Sequence, residues 1–426
     1  MADNYKRIVK LIMVTGDNNN KYYDMFDLGN GQMKVNYGRV GTTSNDYFYP
    51  ISEWDSKLRS KTKKGYKDVT HIFQESAAPT TVTTSSGKKI QTSSNGLKPE
   101  IQKFMDELQG YSNKSIQTNY LVSSENVTQK QVDTAQELVN QLTTFTKIGV
   151  SYKDINKILL EIYSIIPRKM VKVQHHLLDS NITKTNLPEF ERLISNEQQT
   201  LDVMAQQVNQ IAQTNVASSD PKVKNILEIM GLEMEVVDAK EIAMIKKLLG
   251  SNSRQFVKAF KVKNLRTQNK FDTFVKNAKN QRKELFWHGS RNENWLSILD
   301  SGLKLRPTGV VITGKMFGYG TYFADKAQKS IGYTSLRGSY FARGSSNKAY
   351  LALFDVHIGN WFHVLGRNCK YSSHSSWMYD LNESKLKSYG DYDSLFAEGG
   401  ADLRNNEYIV YNENQTTVSY IVEISD

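Results

Sequence analysis

The stretch QESAAPTTVTTSSGKKIQTSSNGL, residues 74–97, is rich in Ser and Thr and shows neither strand nor helix spacing of apolar residues. Such a segment cannot bury enough side chain to offset the entropy of ordering its backbone. It is expected to be a flexible linker. That expectation constrains the rest of the 426-residue chain: the portions on either side of the linker must each build a core of their own.

The apolar period changes across it. Residues 1–73 read as a small β-rich domain. RIVKLIMV, KYYDMFDL and QMKVNYGRV alternate apolar and polar residues, and TGDNNN, GNG and GTTSND punctuate them as turns. Residues 98–213 read as an all-α helical bundle. In SYKDINKILLEIYSII the residues Ile155, Ile158, Leu159 and Ile162 form one stripe at i, i+3, i+4 and i+7. Ser151 with Asp154 is a start signal and Pro167 a stop. A second connector covers 214–224. Residues 225–426 have the mixed, strand-rich texture of an α+β domain, with strands expected in YLALFDVHIGN and VSYIVEI. The fold class is therefore multidomain.

Charge and cysteine content narrow the function. The formal net charge is +11, which suits a polyanionic partner such as nucleic acid, an acidic protein or a membrane surface, and equally suits simple solubility. The single cysteine, Cys369, excludes intramolecular disulfides and multi-cysteine zinc fingers, and is compatible with a reducing intracellular compartment. Among His175, His176, His357, His363 and His374, no pair has metal-ligand spacing with a third ligand nearby. No apolar run approaches the roughly 18 residues of a membrane span, so no membrane partner is expected.

Three short stretches could carry chemistry. In LFWHGS a strand ends at His288, with Gly289 and Ser290 next; His288 is either a half-buried structural histidine or a ligand holder. In GKMFGYGTYFADKAQKSIGY, residues 314–333, glycines surround a short strand and a helix start. Tyr322, Lys329, Ser330 and Tyr333 cluster there, either around a structural turn or around a bound aromatic amide or phosphate. In NEYIVY the carboxylate of Glu407 opens a strand and faces either water or a site.

Taken in this order, HGSRNENW, FGYGTYFADKAQKSIGY and NEYIVY resemble the catalytic domain of the poly(ADP-ribose) polymerases, over roughly residues 225–426. More loosely, 98–213 resembles that family's helical regulatory domain. Residues 1–73, with VNYGRVGTT, resemble its DNA-binding Trp-Gly-Arg domain, Tyr37 standing where the family has tryptophan.

The resemblance implies an NAD+ ADP-ribosyltransferase that uses NAD+ as substrate and no metal. Glu407 would bond the nicotinamide ribose and polarise the acceptor hydroxyl, and the family associates a glutamate here with chain elongation. His288 would bond the adenosine ribose. Gly289 and Ser330 would hold the carboxamide, Tyr333 would stack on the nicotinamide ring, and Tyr322 would wall the pocket. Lys329 would partner the acceptor or the catalytic carboxylate. Ser290, Asn294 and Arg306 would contact the adenosine half, and residues 306–315 would cover the pocket. Tyr37, Arg39, Lys61, Lys63 and Lys64 would grip a DNA strand break or end; the basic run 56–67 also reads as a solvated face or a nuclear-targeting tract. The implied protein is a DNA-break-stimulated polymerase of the DNA damage response and DNA repair, autoinhibited by its helical domain. It would modify acceptor proteins including itself, and would be nuclear in a eukaryote or cytoplasmic in a bacterium. A mono-ADP-ribosyltransferase and a non-catalytic DNA-end-binding scaffold remain the alternatives.

Overall fold

The computed structural model describes residues 5–40, 45–70, 96–145, 149–183, 185–217, 225–305, 316–366, 378, 380–400 and 403–426. The linker expected at 74–97 falls almost wholly outside them, as do Arg306 and the whole of 306–315. The chain forms two compact units, residues 1–91 with 114–211 and residues 92–113 with 212–426.

The first unit contains the expected β-rich region. Strands β1 (Arg7–Thr15), β2 (Asn19–Asp27), β3 (Gln32–Arg39), β4 (Asn45–Pro50) and β5 (Lys67–Asp68) form an antiparallel sheet of order β4-β3-β2-β1-β5. Period-2 alternation sends Tyr23, Met25, Met33 and Val35 to one face. Helix α1 (Trp54–Lys63) closes that face with Trp54, so most of the basic run 56–67 is helix.

Among the described residues, the same unit also holds two further whole helices and parts of two more. In α3 (Gln129–Thr144) a capping box links Thr128 and Gln131. In α4 (Tyr152–Ile165), Ser151 caps the start and Ile155, Leu159 and Ile162 are buried. The helix ends two residues before Pro167. Helix α5 (Leu187–Ala217) runs past the boundary expected at 213, and 218–224 lie outside the described residues.

Helix α2 (Pro99–Asn119) contributes to both units, its residues up to 113 belonging with the C-terminal one. The cause is one stripe. Ile101, Phe104, Met105 and Leu108, at i, i+3, i+4 and i+7, pack into the C-terminal core beside Phe260, Trp295 and Tyr350. The Phe104 ring lies 4.7 Å from Phe260 and 5.4 Å from Tyr350. Beside the stripe, Lys348 bridges Glu107 at 2.8 Å and Glu423 at 3.1 Å.

The rest of the C-terminal unit is α+β, as its sequence texture indicates, with helices α6 (Ile226–Met230), α7 (Ala239–Leu249), α8 (Leu265–Asn277) and α9 (Trp295–Ser301). Strands β6 (Leu232–Val236), β7 (Phe256–Asn264), β8 (Lys283–Gly289), β10 (Lys348–His357) and β14 (Thr416–Ser425) form an antiparallel sheet of order β6-β7-β14-β10-β8. A second sheet, order β11-β12-β13-β9, contains β9 (Thr321–Phe323), β11 (Trp361–Val364), β12 (Ser394–Ala397) and β13 (Glu407–Val410). The sheets meet where Trp287 of β8 exchanges two backbone hydrogen bonds with Ala324, at 2.8 and 3.0 Å. This junction sets the end of β8 against β9, and β13 pairs directly with β9.

Candidate active site

The junction draws the three motifs together. His288 is the penultimate residue of β8, and its Nδ1 lies 3.0 Å from the Tyr322 carbonyl oxygen on β9. A carbonyl only accepts, so Nδ1 carries the proton and a neutral ring offers Nε2 as an acceptor. Burial pushes the imidazole pKa below its usual value, and the bond to Tyr322 opposes this less strongly. Gly289 comes next. A Cβ there would lie 1.9 Å from the Ser330 carbonyl oxygen, so only glycine lets strand and helix approach this closely.

That helix is α10 (Ala327–Ile331). It sets the backbone of Ser330, a buried residue, against Gly289 and carries Lys329, whose Nζ forms an ion pair with Glu407 Oε1. The pair is shielded from water, with side-chain exposures of 12% and 7%. Burial raises the Glu407 carboxyl pKa; the nearby lysine charge and its hydrogen bond lower it. Its second oxygen, Oε2, is buried with no hydrogen-bond partner among the described residues. A lone buried acceptor is a costly feature that a bound donor would relieve.

Two tyrosines stiffen the floor. The Tyr322 hydroxyl accepts from Phe317 N at 3.0 Å and donates to Gly318 O at 2.9 Å. The Tyr411 hydroxyl donates to Phe317 O at 2.6 Å. Burial chiefly, with the Glu407 charge among the further causes, pushes both hydroxyls well above the usual tyrosine range, so both stay neutral donors. Gly318 has φ +78°, and a Cβ there would meet the Leu381 backbone at 2.2 Å. Tyr322 thus gives its hydroxyl to the glycine turn.

Asn406 has no counterpart among the site residues that the sequence points to. Its Nδ2 donates to Asp325 Oδ2 at 2.8 Å and its Oδ1 accepts from Gly399 N at 2.8 Å, fixing the entry to β13 just before Glu407. Its position beside Glu407 in NEYIVY is the one signal that could have found it. Tyr333 lies just past α10, its N–H donating to Ser330 O at 3.0 Å, and its ring stacks on Phe341. Ser290 and Asn294 lie together beyond β8, Asn294 Nδ2 donating to Ser290 Oγ at 3.0 Å.

Of the five N-terminal residues, Tyr37 and Lys61 lie together, Lys61 Nζ standing 5.6 Å from the Tyr37 ring centroid. Tyr37 packs at the edge of the core, stacked between Tyr23 (5.6 Å) and Tyr47 (5.1 Å). Lys61 Nζ sits 4.0 Å from the Tyr23 ring centroid, and burial first, then neighbouring lysines, lowers its pKa. Arg39 donates to Asn18 O at 2.9 Å, Asn18 Oδ1 at 2.8 Å and Val171 O at 3.3 Å, tying β3 to the helical segment of its own unit. Lys63 and Lys64 are exposed.

Among the described residues, no group of three or more His, Cys, Asp or Glu side chains is placed to hold a metal ion. No described helix is long and apolar enough to cross a membrane.

His288 at the end of its strand, the close approach of Gly289 to Ser330 and the buried Lys329–Glu407 pair gather at the junction of the two sheets. Comparison with known proteins gives the chain a family. Residues 239–426 match the poly(ADP-ribose) polymerase catalytic domain. A putative poly(ADP-ribose) polymerase-like protein, 100L, of Invertebrate iridescent virus 6 is 31% identical over 189 residues, 44% of this chain and 96% of the viral protein. An uncharacterized protein of the same virus, 101L, is 33% identical over 222 residues, 52% of this chain and 83% of its own. Human poly(ADP-ribose) polymerase 2 is 34% identical over 157 residues, 33% of this chain and 26% of the human one. The chain belongs to the poly(ADP-ribose) polymerase family. It is an ADP-ribosyltransferase with NAD+ as its substrate.

Proposed function

We propose that the chain is a poly(ADP-ribose) polymerase, transferring ADP-ribose to protein acceptors, itself included, and then to the growing chain, at a rate raised by DNA breaks. The observation that carries the polymerase reading is Glu407: buried, held by Lys329 through one oxygen, with the other lacking a partner among the described residues.

The bond between nicotinamide and ribose breaks, and its electron pair leaves with neutral nicotinamide. Positive charge gathers on the ribose, and the acceptor oxygen then attacks the anomeric carbon, its proton passing to Glu407 Oε2 and on to solvent. Positioning and a nearby negative group lower such a barrier. Glu407 Oε2 accepts from the ribose hydroxyl and the incoming acceptor hydroxyl, drawing electron density toward the attacking oxygen. Lys329 fixes the carboxylate and favours its ionised form against the effect of burial. His288 Nε2 accepts from the adenosine ribose. Gly289 backbone and the Ser330 hydroxyl hold the carboxamide, Tyr333 stacks on the pyridinium ring, and Ser290 and Asn294 serve the adenosine half.

DNA stimulation rests on charge and aromatics in the first unit. Exposed Lys63 and Lys64 neutralise phosphate, and Tyr47 and Phe48, both exposed, offer ring faces near the Tyr37 stack. Arg39 then acts from within the protein by holding the Asn18 turn. DNA raises the rate only if it binds the active state more tightly than the resting one.

The test is turnover of labelled NAD+ with and without a nicked or blunt duplex, analysed on a gel. Released nicotinamide, DNA-dependent, with a smear of long products is the expected result. A single shifted band would replace the polymerase reading with mono-transfer, and equal rates with and without duplex would remove the DNA role.

A further inference from the structure

The segment after α10 ends in a turn unusual for a protein surface. Phe341 is 53% and Tyr340 78% exposed, two adjacent aromatics facing water. The backbone around them is tied down. Phe341 N and Ala342 N both donate to Gly332 O, at 2.9 and 3.0 Å. Ala342 O accepts from Arg291 Nη2 at 3.0 Å, and Gly344 N donates to Ser339 Oγ at 2.7 Å. Arg343 takes a φ of 48°, a conformation non-glycine residues adopt at a cost. The turn is thus fixed to α10 on one side and to the residues just after His288 on the other.

What it holds in place is a ring. Phe341 lies on Tyr333 at 4.4 Å between centroids and 15° between planes, and Tyr340 meets Phe341 edge-on at 4.9 Å. A phenol at the end of a five-residue helix has rotamers to lose when a ligand stacks on it. A partner on one face removes that freedom beforehand, and a ligand can then take the other face.

We propose that Phe341 is a positioning residue for the transferase reaction: it backs the Tyr333 ring, so that the opposite face of Tyr333 is set to stack on the nicotinamide of NAD+. The inference rests on the stacking role proposed for Tyr333.

The experiment compares Phe341→Ala, Phe341→Tyr, Tyr333→Ala and the double variant Tyr333→Ala/Phe341→Ala. The readouts are KM and kcat for NAD+ from nicotinamide release, and the inhibition constant of free nicotinamide. Phe341 is half exposed, so its truncation leaves the fold intact, and melting temperature confirms this. Phe341→Ala is expected to raise KM and the nicotinamide inhibition constant together by about 2- to 12-fold, the worth of one aromatic pair, with kcat within about twofold. Phe341→Tyr restores both, and the double variant is no worse than Tyr333→Ala. If Tyr333→Ala raises KM while Phe341→Ala changes nothing, the proposal fails and the Tyr333 role stands. If Phe341→Ala lowers KM, Phe341 occupies the ligand's own face and the proposal is overturned. If Tyr333→Ala leaves KM unchanged, the Tyr333 role fails and the proposal with it.

Discussion

Lys329→Met removes the partner of Glu407 while keeping most of the side-chain volume. With exposures of 12% and 7%, water does little to screen the pair. Removing one partner of such a pair costs about 3–5 kcal/mol, mainly from the stranded charge. In a unit of roughly 150–250 residues each kcal/mol moves the melting temperature by about 2–4 °C, so the C-terminal unit should lose about 6–20 °C at neutral pH. The loss depends on pH with a definite sign. Burial raises the Glu407 carboxyl pKa above its ordinary 4.5, and Lys329 lowers it. A carboxyl with a raised folded pKa holds its proton more tightly folded than unfolded. The folded state therefore loses stability as pH rises from the unfolded value through the folded one, and the loss is constant above that. Without Lys329 the folded value climbs further, so the loss grows and reaches higher pH. Below the ordinary carboxylate range Glu407 is neutral in both proteins, and the gap between them narrows. On the role proposed for Glu407, the acid limb of kcat tracks its ionisation and moves upward for the same reason. Calorimetry across pH and initial rates of nicotinamide release measure the two effects. A melting gap that does not change with pH, together with an unmoved acid limb, would refute the role given to this pair.

Gly289→Ala would place a methyl 1.9 Å from Ser330 O; β8 and α10 must part by an ångström or so, and turnover should fall by about 100-fold. Steady-state nicotinamide release tests this, and wild-type kinetics would contradict the close approach. Phe104→Ala removes a ring with 0% exposure from between Phe260 and Tyr350, at a cost of about 3–5 kcal/mol. Calorimetry should show the loss in the C-terminal unit, although residue 104 lies in the segment that reads as helical domain; a loss confined to the other unit would oppose it. By the same reasoning, deleting 98–213 should unfold the C-terminal unit, whereas deleting 114–213 should spare it, as judged by solubility and cooperative melting.

The parts of the site that are legible in the sequence are those whose determinants are contiguous. LFWHGS, TYFADKAQKS and NEYIVY each contain an element and its functional side chain, and β8, β9, α10 and β13 lie where the local pattern puts them. Lys329 reads as a partner for a carboxylate or an acceptor, and the fold pairs it with Glu407, 78 positions away in the numbering. What resists reading depends on long-range packing. The stripe Ile101, Phe104, Met105 and Leu108 shows that one face of α2 is buried but not against what, because helical spacing is the same for every partner. The Arg39 contact with Val171 spans 132 positions, so in the sequence the arginine has the look of a free phosphate ligand. The basic run 56–67 gives no sign that Lys61 lies over the Tyr23 ring. Phe341 sits in a turn without periodicity, where stacking on Tyr333 has no local signature.

The pairing of Glu407 with Lys329 also limits how the carboxylate works. An isolated buried anion would attract the developing ribose cation by its full charge. Here a lysine stands on the far oxygen, so the two together are nearly neutral and their field falls off as that of a dipole. The benefit at the ribose is therefore short-ranged and directional, concentrated along the unpartnered Oε2. It acts on a hydroxyl within hydrogen-bonding reach far more than on a cation several ångströms away. On the roles proposed above, Glu407 would contribute chiefly by orienting and polarising hydroxyls, and cleavage of the nicotinamide bond would depend more on how NAD+ is held by His288, Ser330 and Tyr333. Substitution of Glu407 should consequently penalise transfer to a sugar hydroxyl more than simple loss of nicotinamide to water, because only the former needs a weak nucleophile to be both placed and activated.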